Sequence, residues 1–267
     1  MEINEFREIV MSNYRQHGRK FPWHGTHPWG VVVSEFMLQQ TQTERVVPYW
    51  EKWMRLYPEP KYLAKASLDK ALLEWSGLGY NNRCRNLKSS AEIITNEHKG
   101  KVPDNAKNLL MLPGVGPYIA GAIACFAYNT PEVFIETNIR SAVIHCFFSE
   151  RDDVRDSEIF PILEKALDRD DPRTWNYALM DYGAALKKSG ENPGRRSAHY
   201  ARQSPFVGSF RQARGKVVKT LVSMGPSKFD EIGFTTGLYG EKLSRVLEKL
   251  EKESLVAEES GIYRIVN

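Results

Sequence analysis

At 267 residues the chain exceeds one typical domain of roughly 100–200 residues, so two or three compact units are expected. Its 42% apolar residues suffice for real cores, 26% charged residues is ordinary for a soluble protein, and a formal net charge of +4 says little about partners until that charge is located. No apolar run approaches the ~20 residues of a membrane span, the segment MEINEFREIV is unlike a secretory signal, and the scattered Cys84, Cys125 and Cys146 form neither a metal-ligand pattern nor a disulfide framework. A reducing cytoplasm is expected, with association to the nucleoid if the source is prokaryotic.

Most of the chain reads as helix. Residues 4–17 place Phe6, Ile9, Val10 and Tyr14 on one stripe. Two Pro-Trp turns follow, at Pro22-Trp23 and Pro28-Trp29. Residues 30–40, 43–57, 68–76 and 82–98 read as four helices, with Gly77 and Gly79 marking a loop. Helices over 105–111 and 117–128 are separated by five residues, residues 132–136 read as extended, and Asn138 is expected to cap a helix over 139–148. Further helices fit 157–168 and 174–187. Residues 187–216 then hold eight Lys or Arg against one acid, Glu191, a charge of +7. A solvated linker would explain that run, but a phosphate-facing surface explains it better, because like charges repel unless a polyanion is near. Residues 206–267 read as a separate unit: helices over 211–223, 228–233 and 241–253, then extended runs 255–259 and 262–266 joined at Ser260-Gly261, a winged helix-turn-helix order.

Three segments carry chemistry. In Leu112-Pro113-Gly114-Val115-Gly116-Pro117-Tyr118, two glycines let the backbone approach a ligand and Pro117 suits a first helical position, so free N–H groups gather at a helix start, where a phosphate can bind; a tight helix–helix turn is the plainer alternative. In Ser34-Glu35-Phe36-Met37-Leu38-Gln39-Gln40-Thr41-Gln42, an acid follows Val31-Val32-Val33 inside an apolar helix. If buried, its raised pKa would make it a general acid near neutral pH; otherwise it is a surface glutamate. The glutamines after it can donate to and accept from base edges. In Phe134-Ile135-Glu136-Thr137-Asn138, a carboxylate before a helix start can face positive charge developing on a sugar, or can simply cap the helix.

Residues 21–185 resemble the helix-hairpin-helix DNA glycosylase superfamily, nearest its MutY-type adenine and thymine/uracil mismatch branches. The resemblance rests on Pro22-Trp23, the 34–42 segment, Gly77-Leu78-Gly79-Tyr80, Leu112 to Gly116 and Ala178-Leu179-Met180-Asp181, in that order. It implies a mainly α fold of two lobes, with a six-helix lobe over about 25–130 and a second lobe from 1–24 and 131–205, followed here by the small α+β unit. It also implies double-stranded DNA with a mispaired or damaged base as partner, a monomer, and a base flipped into a pocket. Glu35 falls where MutY-type enzymes protonate the leaving adenine, Glu136 where the superfamily has its catalytic aspartate, and Tyr118 where bifunctional relatives have a lysine nucleophile. Trp23, His24, Asn138 and Asp181 fall at the base pocket. Gln39, Gln40, Gln42, Tyr80, Asn81, Gly114, Val115 and Gly116 are expected to contact DNA, and Lys187, Lys188, Arg195, Arg196 and Arg202 to contact phosphates.

The chain also departs from the family pattern. Glu136 is one methylene longer than aspartate, Asn81 replaces a second tyrosine and His24 an arginine. The four cysteines of an iron–sulfur cluster expected after residue 186 are absent, residues 187–203 being basic instead, and the NUDIX-like domain is missing. No cofactor is therefore expected, though a monovalent cation at the hairpin is compatible with the motif. The resulting expectation is a monofunctional glycosylase releasing adenine from a mispair, with uracil or thymine opposite guanine as second substrate and a non-catalytic lesion sensor as the rival of another class.

Overall fold

A computed structural model describes residues 1–202 and 205–266. The helices are α1 (Ile3–His17), α2 (Pro28–Leu38), α3 (Thr43–Leu56), α4 (Pro60–Lys65), α5 (Leu68–Trp75), α6 (Asn82–Asn96), α7 (Ala106–Leu109), α8 (Pro117–Tyr128), α9 (Thr137–Phe147), α10 (Asp156–Ala166), α11 (Pro172–Lys188), α12 (Phe210–Met224), α13 (Phe229–Thr236) and α14 (Gly240–Lys252). The strands are β1 (Ser227–Lys228), β2 (Val256–Glu259) and β3 (Ile262–Ile265). The fold is mainly α with one small antiparallel sheet, as expected. No helix among the described residues is long and apolar enough to cross a membrane.

The chain divides into two compact units. The first comprises residues 1–31, 103–111 and 115–202. Its core joins Phe6 and Val10 of α1, Ala122 and Phe126 of α8, Ile139 and Val143 of α9, and Trp175 and Leu179 of α11. Phe6 meets the Trp175 ring edge-on at 5.9 Å; truncating either ring to alanine would cost about 3–5 kcal/mol. Helices α9 and α11 pack closely because Gly183 has no side chain: a Cβ there would lie 2.0 Å from the Asn138 carbonyl oxygen.

The second unit comprises residues 32–102, 112–114 and 203–267. Trp53 and Trp75 meet edge-on at 5.2 Å, both fully buried, and α4 lies along α6. Helix α12 packs on α5, α13 and α14. Leu243, Val246, Leu247 and Leu250 form the buried stripe of α14. The sheet runs β1-β3-β2, Ser227 facing Tyr263 and Val256 facing Ile265. Helix, strand, two helices and a hairpin is the winged-helix order.

Several elements differ from the expected ones. Helix α4 is too short to show a period, and β1 is two residues long. The expected helix over 105–111 contracts to Ala106–Leu109. Residues 132–136 lie outside any strand among the described residues. The cap of α9 is Glu136, not Asn138, which sits in the first turn. The basic run 187–216 includes a 3-10 turn over Pro193–Arg196; Gln203 and Ser204, within that run, and Asn267, the last residue of the expected C-terminal unit, lie outside the described residues.

The close approach at Gly183 makes a sharp prediction. Gly183→Ala should lower stability by about 1–3 kcal/mol, because the added methyl meets backbone that cannot move aside. Gly215→Ala, in α12 with nothing within 4 Å of the added atom, should be neutral or stabilising by up to ~1 kcal/mol. Urea midpoints of the two variants check this.

Candidate active site

Glu136 is the N-cap of α9, and its carboxylate Oε1 accepts from the backbone N–H of Asn138 at 2.6 Å and of Ile139 at 2.7 Å. Ser, Thr, Asp and Asn usually do this. Here the longer side chain closes the same bonds, and the helix end adds its favourable dipole. Oε2 takes no part in the cap. The residue as a whole is partly covered, but its carboxylate lies deep. Burial raises its pKa above 4.5, opposed in turn by the two amides, Lys187 and Arg140.

Lys187 belongs to this cluster rather than to an outer phosphate surface. Its Nζ donates to Asn138 Oδ1 at 2.8 Å, and its pKa is lowered by burial while Glu136 holds it up. Arg140 pairs with both Asp156 oxygens at 2.7 Å. Glu136, Asn138 and Lys187 are thus brought together, with the cation beside the carboxylate.

The second grouping is aromatic. Asp181, buried on α11, accepts from Arg19 through its backbone N–H at 2.8 Å and its Nε at 2.7 Å, and pairs with Nη2 at 2.6 Å. This clamp ties the segment after α1 to α11. That segment carries buried Trp23, stacked on Phe21 at 5.0 Å, and His24, stacked on Tyr177 at 3.9 Å. Tyr177 stacks on Phe126 at 4.3 Å, Phe126 meets Phe134 edge-on, and Phe134 lies 5.9 Å from Tyr118 at the start of α8. Burial lowers the His24 pKa to about 4, so its ring is neutral at pH 7. The row runs from half-buried His24 and Tyr177 through Phe126 and Phe134, buried in the core of the first unit, to half-buried Tyr118.

Glu35 lies in the second unit and is 4% exposed, between buried Ser34 and Phe36 on α2, so it is not a surface glutamate. The 39–42 segment follows it. Arg83, which sequence reasoning missed, donates to the carbonyls of Phe36 (3.1 Å), Met37 (2.8 Å), Gln39 (2.5 Å), Leu78 (3.1 Å) and Gly79 (3.1 Å) and to Thr41 Oγ1 (3.2 Å). Gln40 and Tyr80 sit in the left-handed region at φ 55° and 49°, each costing of order 1–3 kcal/mol. Such strain is found where geometry serves function. Asn81 caps α6 through its backbone, Gln42 precedes α3, and both residues line a common cleft with Tyr80.

Gly114 adopts φ 77°, and a Cβ there would fall 2.5 Å from Asn86 Nδ2. Val115 is buried, and Gly116 caps α8 without a side chain, leaving first-turn N–H groups for a ligand. Of the five expected phosphate contacts, Lys188, Arg195 and Arg202 are exposed. Arg196 turns inward and donates to the Phe148 carbonyl at 2.8 Å and to that of Ser149.

An iron–sulfur cluster does not fit these residues. Residues 187–202 contain no cysteine. Burial raises the thiol pKa of Cys84, pushes that of Cys125 to about 12 and raises that of Cys146, the opposite of a thiolate ligand. No group of three or more His, Cys, Asp or Glu among the described residues could hold a metal. The turn over Pro193–Arg196 is held instead by Val154, which exchanges backbone bonds with Arg196 and Ala198 at 2.9 and 3.0 Å.

A family model described as "HhH-GPD superfamily base excision DNA repair protein" matches residues 33–168. An adenine DNA glycosylase of Mycobacterium tuberculosis (strain CDC 1551 / Oshkosh) is 34% identical over 233 residues, covering 79% of this chain and 77% of that one. A thermostable thymine-DNA glycosylase superposes with TM-score 0.59 at 23% identity, over 68% of this chain and 87% of that one. Endonuclease III in a trapped covalent DNA intermediate does so with TM-score 0.60 at 17% identity, over 77% and 91%. The two superpositions establish the fold.

The Glu136 cluster is open to direct titration. A carbon-13 shift titration of the Glu136 carboxyl should give a midpoint above 4.5. Lys187→Met should move it higher still, since the lysine charge favours the ionised form. A midpoint unchanged in that variant would show that Lys187 does not act on the carboxylate.

Proposed function

This chain belongs to the HhH-GPD superfamily of base excision DNA repair proteins, and on that premise we propose that it releases adenine from a mispair in double-stranded DNA, acting as a monomer. It is a DNA N-glycosylase. The observation that supports the choice of adenine is Glu35, an acid 4% exposed in an apolar helix; the resemblance of residues 34–42 to MutY-type enzymes implies the position from which those protonate the base.

The proposed chemistry follows from the two carboxyl groups. Glu35, flanked by buried Val32, Val33, Phe36 and Met37, gives its proton to a ring nitrogen of the flipped adenine, where bulk water does not compete. The glycosidic bond then lengthens, its electron pair leaving with the base and positive charge gathering on the sugar. The Glu136 carboxylate stabilises that cation. Water adds at the anomeric carbon and yields its proton to the Glu136 carboxylate, leaving free adenine and an abasic site. The helix cap holds Glu136 in place, and catalysis depends on such placement. Trp23, neutral His24 and Tyr118 supply the walls against which the base lies. Lys188, Arg195 and Arg202 face the phosphates, on a segment that works without an iron–sulfur cluster.

Single-turnover assays on duplexes carrying A:G, A:8-oxoguanine, T:G, U:G or A:T test the target. Release of adenine from a mispair is expected; release of thymine or uracil without adenine overturns it. Glu136→Gln keeps an oxygen to accept the cap bonds but loses the charge, so excision should fall by roughly 100–1,000-fold with binding within about twofold of wild type.

Tyr118 sets the second outcome. A phenol cannot form a Schiff base with the sugar, whereas a lysine can. The abasic site should be left intact, and borohydride should trap no covalent enzyme–DNA adduct. Efficient trapping would mean that another amine of this chain acts as a lyase.

A further inference from the structure

Helix α11 ends on two lysines that behave differently. Lys188 is exposed, where its charge offsets the negative end of the helix. Lys187 turns inward. Gly183, one turn earlier on the same face, lets α11 approach α9 so closely that a Cβ there would meet the Asn138 backbone. One turn on, Lys187 Nζ donates to the side chain of that same residue, Asn138 Oδ1, at 2.8 Å. Lys187 also opens the stretch in which the resemblance expects cluster cysteines, so a cation that reaches the site stands there instead.

An ammonium can only donate, so it decides which end of the Asn138 amide faces it: Oδ1 is turned to the lysine and Nδ2 away from it. The backbone N–H of Asn138 is meanwhile taken by Glu136 Oε1 at 2.6 Å. Asn138 is therefore gripped at its main chain by the carboxylate and at its side chain by the ammonium. Neighbouring charges are spent elsewhere. Arg140 also acts on Glu136, but it is bonded to both Asp156 oxygens, which offset its charge. Arg196 faces the carbonyls of Phe148 and Ser149, and His145 pairs with Glu191 at 3.1 Å. Lys187 is bonded to a neutral amide, so its charge is left to balance Glu136. Burying an ammonium is costly unless a carboxylate lies near, and Glu136 is that carboxylate.

We propose that Lys187 is a positioning residue for base release: it locks the Asn138 amide and sets its charge beside the Glu136 carboxylate, touching neither base nor phosphate. Without it the carboxylate takes up a proton more readily, and a neutral acid gives a sugar cation little stabilisation. The amide is also free to turn over. This role rests on the DNA glycosylase assignment and on the part Glu136 plays in it, not on adenine being the target.

The test is single-turnover excision across a range of pH, with anisotropy titrations across a range of salt, on a fluorescein-labelled duplex with one A:G mispair. Lys187→Met should slow excision at neutral pH by roughly 10–100-fold, with affinity within about twofold of wild type and the salt slope unchanged. Lys187→Gln keeps a donor for Asn138 Oδ1 but loses the charge. Its rate should fall off at higher pH than that of the wild type, because the ionised Glu136 is lost sooner as pH drops. Lys187→Arg, which keeps both charge and donors, should move that limb back toward the wild type. In a Glu136→Gln background, Lys187→Met should slow excision no further, since the group it serves is gone. The role is overturned if Lys187→Met excises as wild type does, or if wild type and Lys187→Gln share one acid limb. It is equally overturned if Lys187→Met loses affinity together with about 0.9 of the salt slope, the mark of a phosphate contact. Should Lys187→Met not fold, Lys187→Gln carries the same comparisons. Release of thymine or uracil by the wild type in place of adenine overturns the choice of base, and the same series on that duplex then decides the role of Lys187 by itself.

Discussion

The arrangement of the second unit depends on one buried cation. Removing a guanidinium from water costs several kcal/mol. Arg83 recovers this through hydrogen bonds to five carbonyls and one hydroxyl, bonds to a charged group being worth about 1.5–3 kcal/mol each. Burial lowers its pKa only to about 10, so it stays a cation at neutral pH. Two of its acceptors, Phe36 and Met37, belong to the last turn of α2, whose carbonyls lack partners within the helix. Others belong to Gln39 and to the Leu78-Gly79 loop. One planar fork therefore fixes the end of the helix that carries Glu35, the glutamine segment after it and the strained loop at Tyr80. A lysine, with its compact point charge, could not span these acceptors. Trp75 and Tyr80, with ring centres 5.3 and 5.4 Å from the guanidinium, add cation–π attraction.

The first unit solves a related problem with the charges reversed. A carboxylate is held by backbone amides at a helix start, and the helix is held by a neighbour that approaches closely only because residue 183 is glycine. The Arg19–Asp181 clamp then fixes the aromatic row from a third side. Each functional group is thus positioned by main chain or by a charge pair, which tolerates little drift.

Much of this was legible in the sequence, and the failures have physical causes. Helix α8 begins and ends where expected, since Pro117 suits a first position and Asn129 closes the helix in the left-handed region. Glu136 stands before a helix start, and capping is one of the two roles its position suggests; the sequence also offers Asn138 as the cap, because a shorter side chain more often reaches back to its own helix. The positive charge of residues 187–202 was plain from composition; its direction was not. Lys187 turns to Glu136 and Arg196 to two carbonyls, choices made by tertiary neighbours. Arg83 and Gly183 gave no signal at all, because most of the atoms that make them matter belong to residues far away in the chain.

The turn over Pro193–Arg196 has a consequence for where such an enzyme can work. Its shape comes from buried Pro193 and Gly194, the backbone bonds of Val154 and the carbonyls that receive Arg196. The bonds that shape it are main-chain hydrogen bonds and one guanidinium on two carbonyls, which peroxide does not oxidise and for which a chelator does not compete.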